Sequence, residues 1–138
     1  MTSPDELADR YVALWNEPDA ERRRAAIAAL WSEDGVHVLQ PPEDIREAAA
    51  APGLGLTATL DARGHAALEV RATSAYEQFI APGEFSFRRR DNVARLGDVV
   101  KFNWEMVSGN GEVAGAGLEF LVLGPDGRIR TDYQFIES

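Results

Sequence analysis

Glu119 and Asp132 flank Gly124-Pro125-Asp126-Gly127, a turn sequence between two runs of strand-like residues. A hairpin closed there with residue 123 opposite 128 sets Glu119 opposite Asp132 on one side of a sheet. A register shift of two residues keeps them on that side as near neighbours. Paired strands run about 4.8 Å apart, so the two carboxyl groups share one environment. If that environment is dry, one acid holds its proton near neutral pH and is equipped to donate a hydrogen bond or a proton. If the face is wet, both acids stay ionised and only solubilise the sheet. Alternation alone leaves both readings open.

Other chemistries fail on spacing or context. Gly53-Leu54-Gly55-Leu56-Thr57-Ala58 matches a dinucleotide fingerprint, but it follows no strand and no βαβ unit surrounds it. The chain has no P-loop lysine motif, no G-x-S-x-G elbow and no H-E-x-x-H. Its two histidines, His37 and His65, are far apart and form no metal-ligand pattern, so the reading is no metal and no cofactor. With no cysteine, thiolate catalysis, disulfides and iron–sulfur clusters are excluded. Arg88, Arg89 and Arg90, with Arg95, form the sole basic cluster. Consecutive strand residues alternate faces, so the cluster reads as a solvated edge or as intersubunit salt bridges, not a phosphate site.

The elements that must position these acids follow from pattern. Ser3-Pro4-Asp5-Glu6 starts a helix with a cap, a first-turn proline and a capping box, and Leu7, Tyr11, Leu14 and Trp15 give it one apolar face. Pro18 breaks it, and Asp19 caps a second helix that buries Ala26, Ile27, Leu30 and Trp31 and ends at Asp34-Gly35. Val36 to Leu39 reads as a strand, residues 43–51 as a short helix, and 52–64 as a loop. A third helix runs from about Gly64 to Ile80, with Leu68, Ala72, Ala75, Tyr76 and Phe79 at helical spacing. Strands follow at roughly 85–95, 98–107, 113–123 and 128–136, separated by turns short enough to impose an antiparallel meander. Helices first and a meander after is an α+β order.

Alternation also shows which faces are covered. Val100, Phe102, Trp104 and Met106 line one side of the 98–107 strand. In the last two strands one face carries Leu118, Phe120, Val122, Ile129, Tyr133 and Phe135. The other carries Glu119, Leu121, Leu123, Asp132, Gln134 and Ile136. Helices cover one face, and a second copy of the chain is the simplest cover for the other.

A chain of 138 residues with 45% hydrophobic and 27% charged residues fits one globular domain over 1–138. Its net charge of −9 disfavours nucleic acid and anionic membrane surfaces as partners. No apolar run reaches the roughly 20 residues of a membrane span, and the acidic start lacks a signal peptide's basic and apolar segments. The expected setting is cytoplasmic.

Arg10-Tyr11-Val12-Ala13-Leu14-Trp15-Asn16, Leu30-Trp31-Ser32-Glu33-Asp34-Gly35-Val36, and Gly117-Leu118-Glu119-Phe120 leading to Asp126-Gly127-Arg128-Ile129 are the segments that carry a resemblance. On them, nearly the whole chain resembles the SnoaL-like branch of the nuclear transport factor 2-like superfamily. The resemblance implies a strongly curved, mainly antiparallel sheet wrapped against three main helices as a cone with an internal pocket. It implies a small apolar ligand and a homodimer through the outer sheet face. Family members include steroid isomerases, polyketide cyclases, epoxide hydrolases and dehydratases. By resemblance to ketosteroid isomerases, Tyr11 takes the place of a hydrogen-bond-donating tyrosine and Glu119 that of the protonated acid beside it. By that resemblance the family's general base falls on Leu39, or on Gln40 with a slip of one residue, and neither abstracts a proton at neutral pH. His37 on the same strand face, or Asp132, then becomes the group that moves a proton. Trp15, Trp31, Leu39, Phe102, Trp104, Met106 and Gln134 become the wall against an apolar ligand carrying a few oxygens.

Overall fold

The computed structural model describes residues 2–40 and 59–137. The expected helix over 43–51 and the Gly53 to Ala58 stretch lie outside them. In chain order the elements are α1 (Pro4–Asn16), α2 (Ala20–Leu30), β1 (Trp31–Leu39), β2 (Leu60–Arg63), α3 (His65–Ala75), β3 (Phe85–Arg89), β4 (Ala94–Leu96), β5 (Val99–Ser108), β6 (Val113–Leu123) and β7 (Ile129–Glu137). A π-helical turn, Tyr76–Ile80, continues α3, so the helical run ends where the spacing predicts.

Both N-terminal side-chain caps form, while the expected capping box at α1 lacks the return bond that the Ser3 amide would donate to Glu6. The Ser3 hydroxyl accepts from the Glu6 amide at 3.1 Å, and Asp19 accepts from Glu21 and Arg22 at 2.8 and 3.2 Å. Each such cap is worth about 1 kcal/mol. The end of α2 differs from expectation. It stops at Leu30, and Trp31 is already extended, with φ −111° and ψ 144°. Trp31 pairs with Ile129 of β7, so sheet pairing overrides its helical spacing. Residues 32–35 then bulge before the ladder resumes at Val36 opposite Thr131. Gly35 is needed for close approach there rather than as a helix stop: a Cβ would lie 3.0 Å from the Ile129 carbonyl oxygen and 3.1 Å from the Trp31 ring.

The sheet runs β2-β1-β7-β6-β5-β3, with β4 also on β5. Every pairing is antiparallel except β1 with β7. It is curved and unclosed, and with the three helices among the described residues makes an α+β fold. Two expectations are corrected. The 85–95 segment is two strands, β3 and β4, both on β5. Leu60–Arg63, within the expected loop, is a strand on β1; four residues are too few for periodicity to reveal.

The meander puts the acids where the alternative register allows. Leu123 faces Ile129, Leu121 faces Asp132 and Glu119 faces Gln134. Glu119 and Asp132 are therefore diagonal neighbours on one face. Between Val122 and Leu123 the ladder shifts, leaving Arg130 as an extra residue. This bulge corrects the expected place of Ile129, which turns inward and is fully buried. The inner face carries Glu119, Leu121, Leu123 and Asp132, all buried against Tyr11, Leu7, Ile27 and Leu30 of the helices. On the outer face Leu118, Phe120 and Val122 are half-buried, and Tyr133 and Phe135 are exposed. Ile136, expected inside near the end of β7, is 43% exposed.

Three of the four residues of the basic cluster form ion pairs within the chain. Arg88 and Arg90 both reach Glu105, at 2.9 and 3.2 Å, and Arg89 reaches Asp9 at 2.6 Å.

Candidate functional site

Five elements bring polar side chains together beneath the curved sheet. The buried face of α1 supplies Tyr11, β1 supplies His37, and β6 supplies Glu119. Asp132 and Gln134 come from β7, and α3 adds Arg71. Tyr11, His37, Glu119 and Asp132 are each at most 2% exposed. The Tyr11 hydroxyl contacts Asp132 Oδ2 and lies 3.1 Å from Glu119 Oε2. The Trp104 indole N–H donates to Glu119 Oε1 at 2.8 Å. His37 Nε2 is 2.7 Å from Gln134 Oε1 and 3.7 Å from Asp132 Oδ2. The wet-face reading of the two acids is thereby excluded.

Proton counting orders the cluster. Burial, then the Asp132 charge and a hydrogen bond to Asp132, push the Glu119 carboxyl well above the usual carboxylate range. Glu119 therefore holds the proton of the acid pair. One phenol hydrogen serves one acceptor at a time. The Tyr11 hydroxyl is within hydrogen-bond reach of both acids, and the Glu119 carboxyl has both Tyr11 and Asp132 as hydrogen-bond partners. Burial and the two neighbouring acids raise the Tyr11 phenol well above its ordinary value, so it stays a donor. Among the described residues Asp132 Oδ1 is buried with no hydrogen-bond partner, as are the indole nitrogens of Trp15 and Trp31.

Burial lowers the His37 pKa, and the Arg71 charge acts in the same direction against Asp132. The ring is neutral at neutral pH. An Arg71 NH1 lies 3.0 Å from His37 Nδ1. Guanidinium only donates, so Nδ1 accepts and Nε2 carries the hydrogen. This decides how the cluster treats a cation. One ligand atom from each of His37, Glu119 and Asp132 lies within 4.8 Å of the others. Yet a metal needs a lone pair on Nε2, which Arg71 removes. The set is arranged for protons.

The remaining wall residues divide. Trp15 and Trp31 flank His37, with ring centroids 5.5 and 6.2 Å away, and Phe102 meets Tyr11 edge-on at 5.7 Å. Leu39 is half-buried, opposite Gln134 on the His37 side of β1. Met106 is half-buried at the far end of β5, opposite Phe87 and away from the hydrogen-bonded acids. Two cavities are lined by other residues. One, of about 500 Å³, lies between the start of α1 and the β6–β7 turn. The other, of about 510 Å³, lies between α1 and β3. Neither is lined by the four buried polar residues.

Arg71 is the residue that sequence reading missed. It follows Leu68 by three and precedes Ala75 by four, so it occupies the stripe that faces the sheet. A charged residue in that stripe was the available signal.

Trp104 is held over its cross-strand partner Gly117: a Cβ there would lie 2.1 Å from the indole. Gly117→Ala is expected to displace Trp104 from Glu119 and to lower stability by about 1–3 kcal/mol through overpacking. Urea unfolding followed by tryptophan fluorescence reads both; an unchanged midpoint and spectrum contradict this packing.

No family model and no curated protein matches the chain. Solved structures do. A SnoaL-like family protein from Agrobacterium tumefaciens superposes with a TM-score of 0.78 at 23% identity, covering 100% of both chains. A SnoaL-like protein of unknown function from Burkholderia thailandensis gives 0.64 at 16% identity, covering 98% of this chain and 94% of its own. A protein with a ketosteroid isomerase-like fold from Catenulispora acidiphila, solved with trimethylamine, gives 0.60 at 13% identity, covering 94% and 84%. The curved sheet, the three helices and these superpositions agree: the chain has the fold of the SnoaL-like, nuclear transport factor 2-like proteins.

Proposed function

We propose that this protein is a cofactor-independent proton-transfer enzyme acting on a small, apolar, oxygen-bearing molecule, of the isomerase, cyclase, dehydratase or epoxide hydrolase type. The observation that carries the proposal is the buried run Glu119–Tyr11–Asp132, ending at an acceptor atom with no partner among the described residues. Asp132 Oδ1 takes a proton from the ligand. As Asp132 becomes neutral, its hold on the Tyr11 hydrogen weakens while charge develops on a ligand oxygen. Tyr11 and the protonated Glu119 then serve as donors for that charge, an interaction stronger in the transition state than before it. Trp15, Trp31 and Phe102 supply an apolar wall, and the unpartnered indole N–H groups suit a ligand oxygen. The Agrobacterium protein's name, which proposes an isomerase, is consistent with this class.

The test is deuterium incorporation from D₂O into a panel of polycyclic ketones, followed by NMR. Exchange that depends on Glu119 and Asp132 supports the enzyme. Leu39 at the position of the family's base favours a second reading, a binding protein that returns its ligand unchanged. A ligand that co-purifies and keeps its mass and isotopic content on incubation selects that reading.

The apolar outer face belongs to the proposal as a homodimer surface. Phe120 and Phe135 meet edge-on at 5.8 Å, beside exposed Tyr133. Phe135→Asp is expected to convert a dimer to a monomer in light scattering. A wild-type protein that is monomeric at high concentration overturns this surface.

A further inference from the structure

We infer that Arg71 is a positioning residue that sets the hydrogen-bond polarity of the site, acting through His37 to hold the Gln134 amide with its NH₂ group as the donor left for a ligand. The inference deepens the small-molecule reading and rests on it for the word ligand alone.

Arg71 is itself fixed. The same NH1 that meets His37 Nδ1 also lies 2.9 Å from the Leu60 carbonyl and 3.1 Å from the His37 carbonyl, so its two hydrogens serve three acceptors, one of them shared. It therefore bridges α3 to both β1 and β2. The neutral ring has one lone pair, and Arg71 occupies it. Its hydrogen is on Nε2, 2.7 Å from a Gln134 side-chain atom. That atom is the amide oxygen, because an NH₂ group there would set hydrogen against hydrogen. The amide nitrogen is thereby turned away from the ring. The chain from guanidinium to imidazole to amide has one direction only, since its first member cannot accept.

Asp132 Oδ2, 3.7 Å from Nε2, also favours a hydrogen there but lies beyond hydrogen-bond distance, and among the described residues Arg71 makes the hydrogen bond to Nδ1. The ring's charged neighbours are Arg71 from α3, Asp132 from β7 and Asp61 from β2. Trp15 and Trp31 close two more sides. With Arg71 removed, Nδ1 is free to take the proton and Nε2 to accept. Gln134 then flips to present its oxygen to the ligand, and the site exchanges a donor for an acceptor. As the chain stands, the ligand atom meeting Gln134 is an acceptor, such as a carbonyl or ether oxygen. The ligand atom meeting Asp132 Oδ1 is a donor or an acidic hydrogen. The substrate class is thus a molecule carrying both.

The test is NMR of ¹⁵N-histidine- and ¹⁵N-glutamine-labelled protein without ligand. In the wild type His37 is expected to be neutral, with a bare Nδ1 and a protonated Nε2. Arg71→Met is expected to lose that single-tautomer pattern and to shift the Gln134 NH₂ signals. Arg71→Lys, which also only donates, is expected to retain the pattern. His65, whose Nε2 faces the Trp31 carbonyl at 3.0 Å, reports that the fold is intact. A protonated Nδ1 at His37 in the wild type overturns the inference even if Arg71→Met does not fold. So do unchanged His37 and Gln134 signals in a folded Arg71→Met protein. Turnover does not enter this measurement, so failure of the catalytic reading leaves its result standing.

Discussion

Asp132→Asn is expected to slow deuterium exchange into a bound ketone by about 10³-fold, the middle of the range for a lost general base. The amide keeps an oxygen for the Tyr11 hydroxyl and nearly the same volume. What it loses is a basic lone pair at Oδ1, the atom that has no partner among the described residues. The loss should fall on turnover with little change in ligand affinity, because the group acts as the proton moves. The measurement is the exchange rate under saturating ketone, alongside a urea midpoint to show that the fold persists. Exchange within a factor of about 3 of wild type ends the assignment of Asp132 as base. His37 does not then inherit the role, because its lone pair faces Arg71.

Glu119→Gln is expected to move stability and activity in opposite directions. The folded chain holds the Glu119 proton far more tightly than an unfolded chain does. Its contribution to stability is therefore fully present below the ordinary carboxylate pKa of 4.5. As pH rises above that value the unfolded state sheds the proton and the folded state keeps it. The slope is about −1.4 kcal/mol per pH unit until the folded-state value is passed. Glutamine mimics the protonated acid at all pH values. Its oxygen accepts from Trp104 and its NH₂ faces Tyr11. The variant should lose this downward slope and unfold at higher urea than wild type at neutral pH. It should also lose activity, since an amide is a weaker donor than a carboxylic acid toward developing charge. Urea titrations between pH 5 and 8 read the first effect and ketone exchange the second. Parallel stability–pH curves for variant and wild type contradict a buried proton on Glu119.

The sequence made the meander, the helix caps and the pairing of Glu119 with Asp132 readable because each rests on local chemistry. A Gly-Pro-Asp-Gly turn and a period of two place the acids on one face in either register. Dryness of that face is not local. It depends on Tyr11 and Leu7 arriving from a helix more than 100 residues earlier. The start of β1 at Trp31 and the strand status of Leu60–Arg63 were hidden for the same reason: both follow from partners on other strands. The inward turn of Ile129 follows from a bulge, which leaves no trace in a pattern of alternation. Arg71 was hidden differently. It is a common surface residue type, and only its place in the buried stripe of α3 sets it apart.

The extra residue at Arg130 acts on β7 as a punctuation mark acts on a reading frame. Arg130 itself is exposed, so many side chains fit there. As the unpaired residue of the bulge, it lets Ile129 and Asp132, three positions apart, both face inward. Removing Arg130 would heal the bulge and leave Leu121 opposite Asp132, whereas removing Tyr133 would set Asp132 and Gln134 side by side and send one of them to the outer face. A change of length in β7 is therefore absorbed at the bulge and not between Asp132 and Gln134.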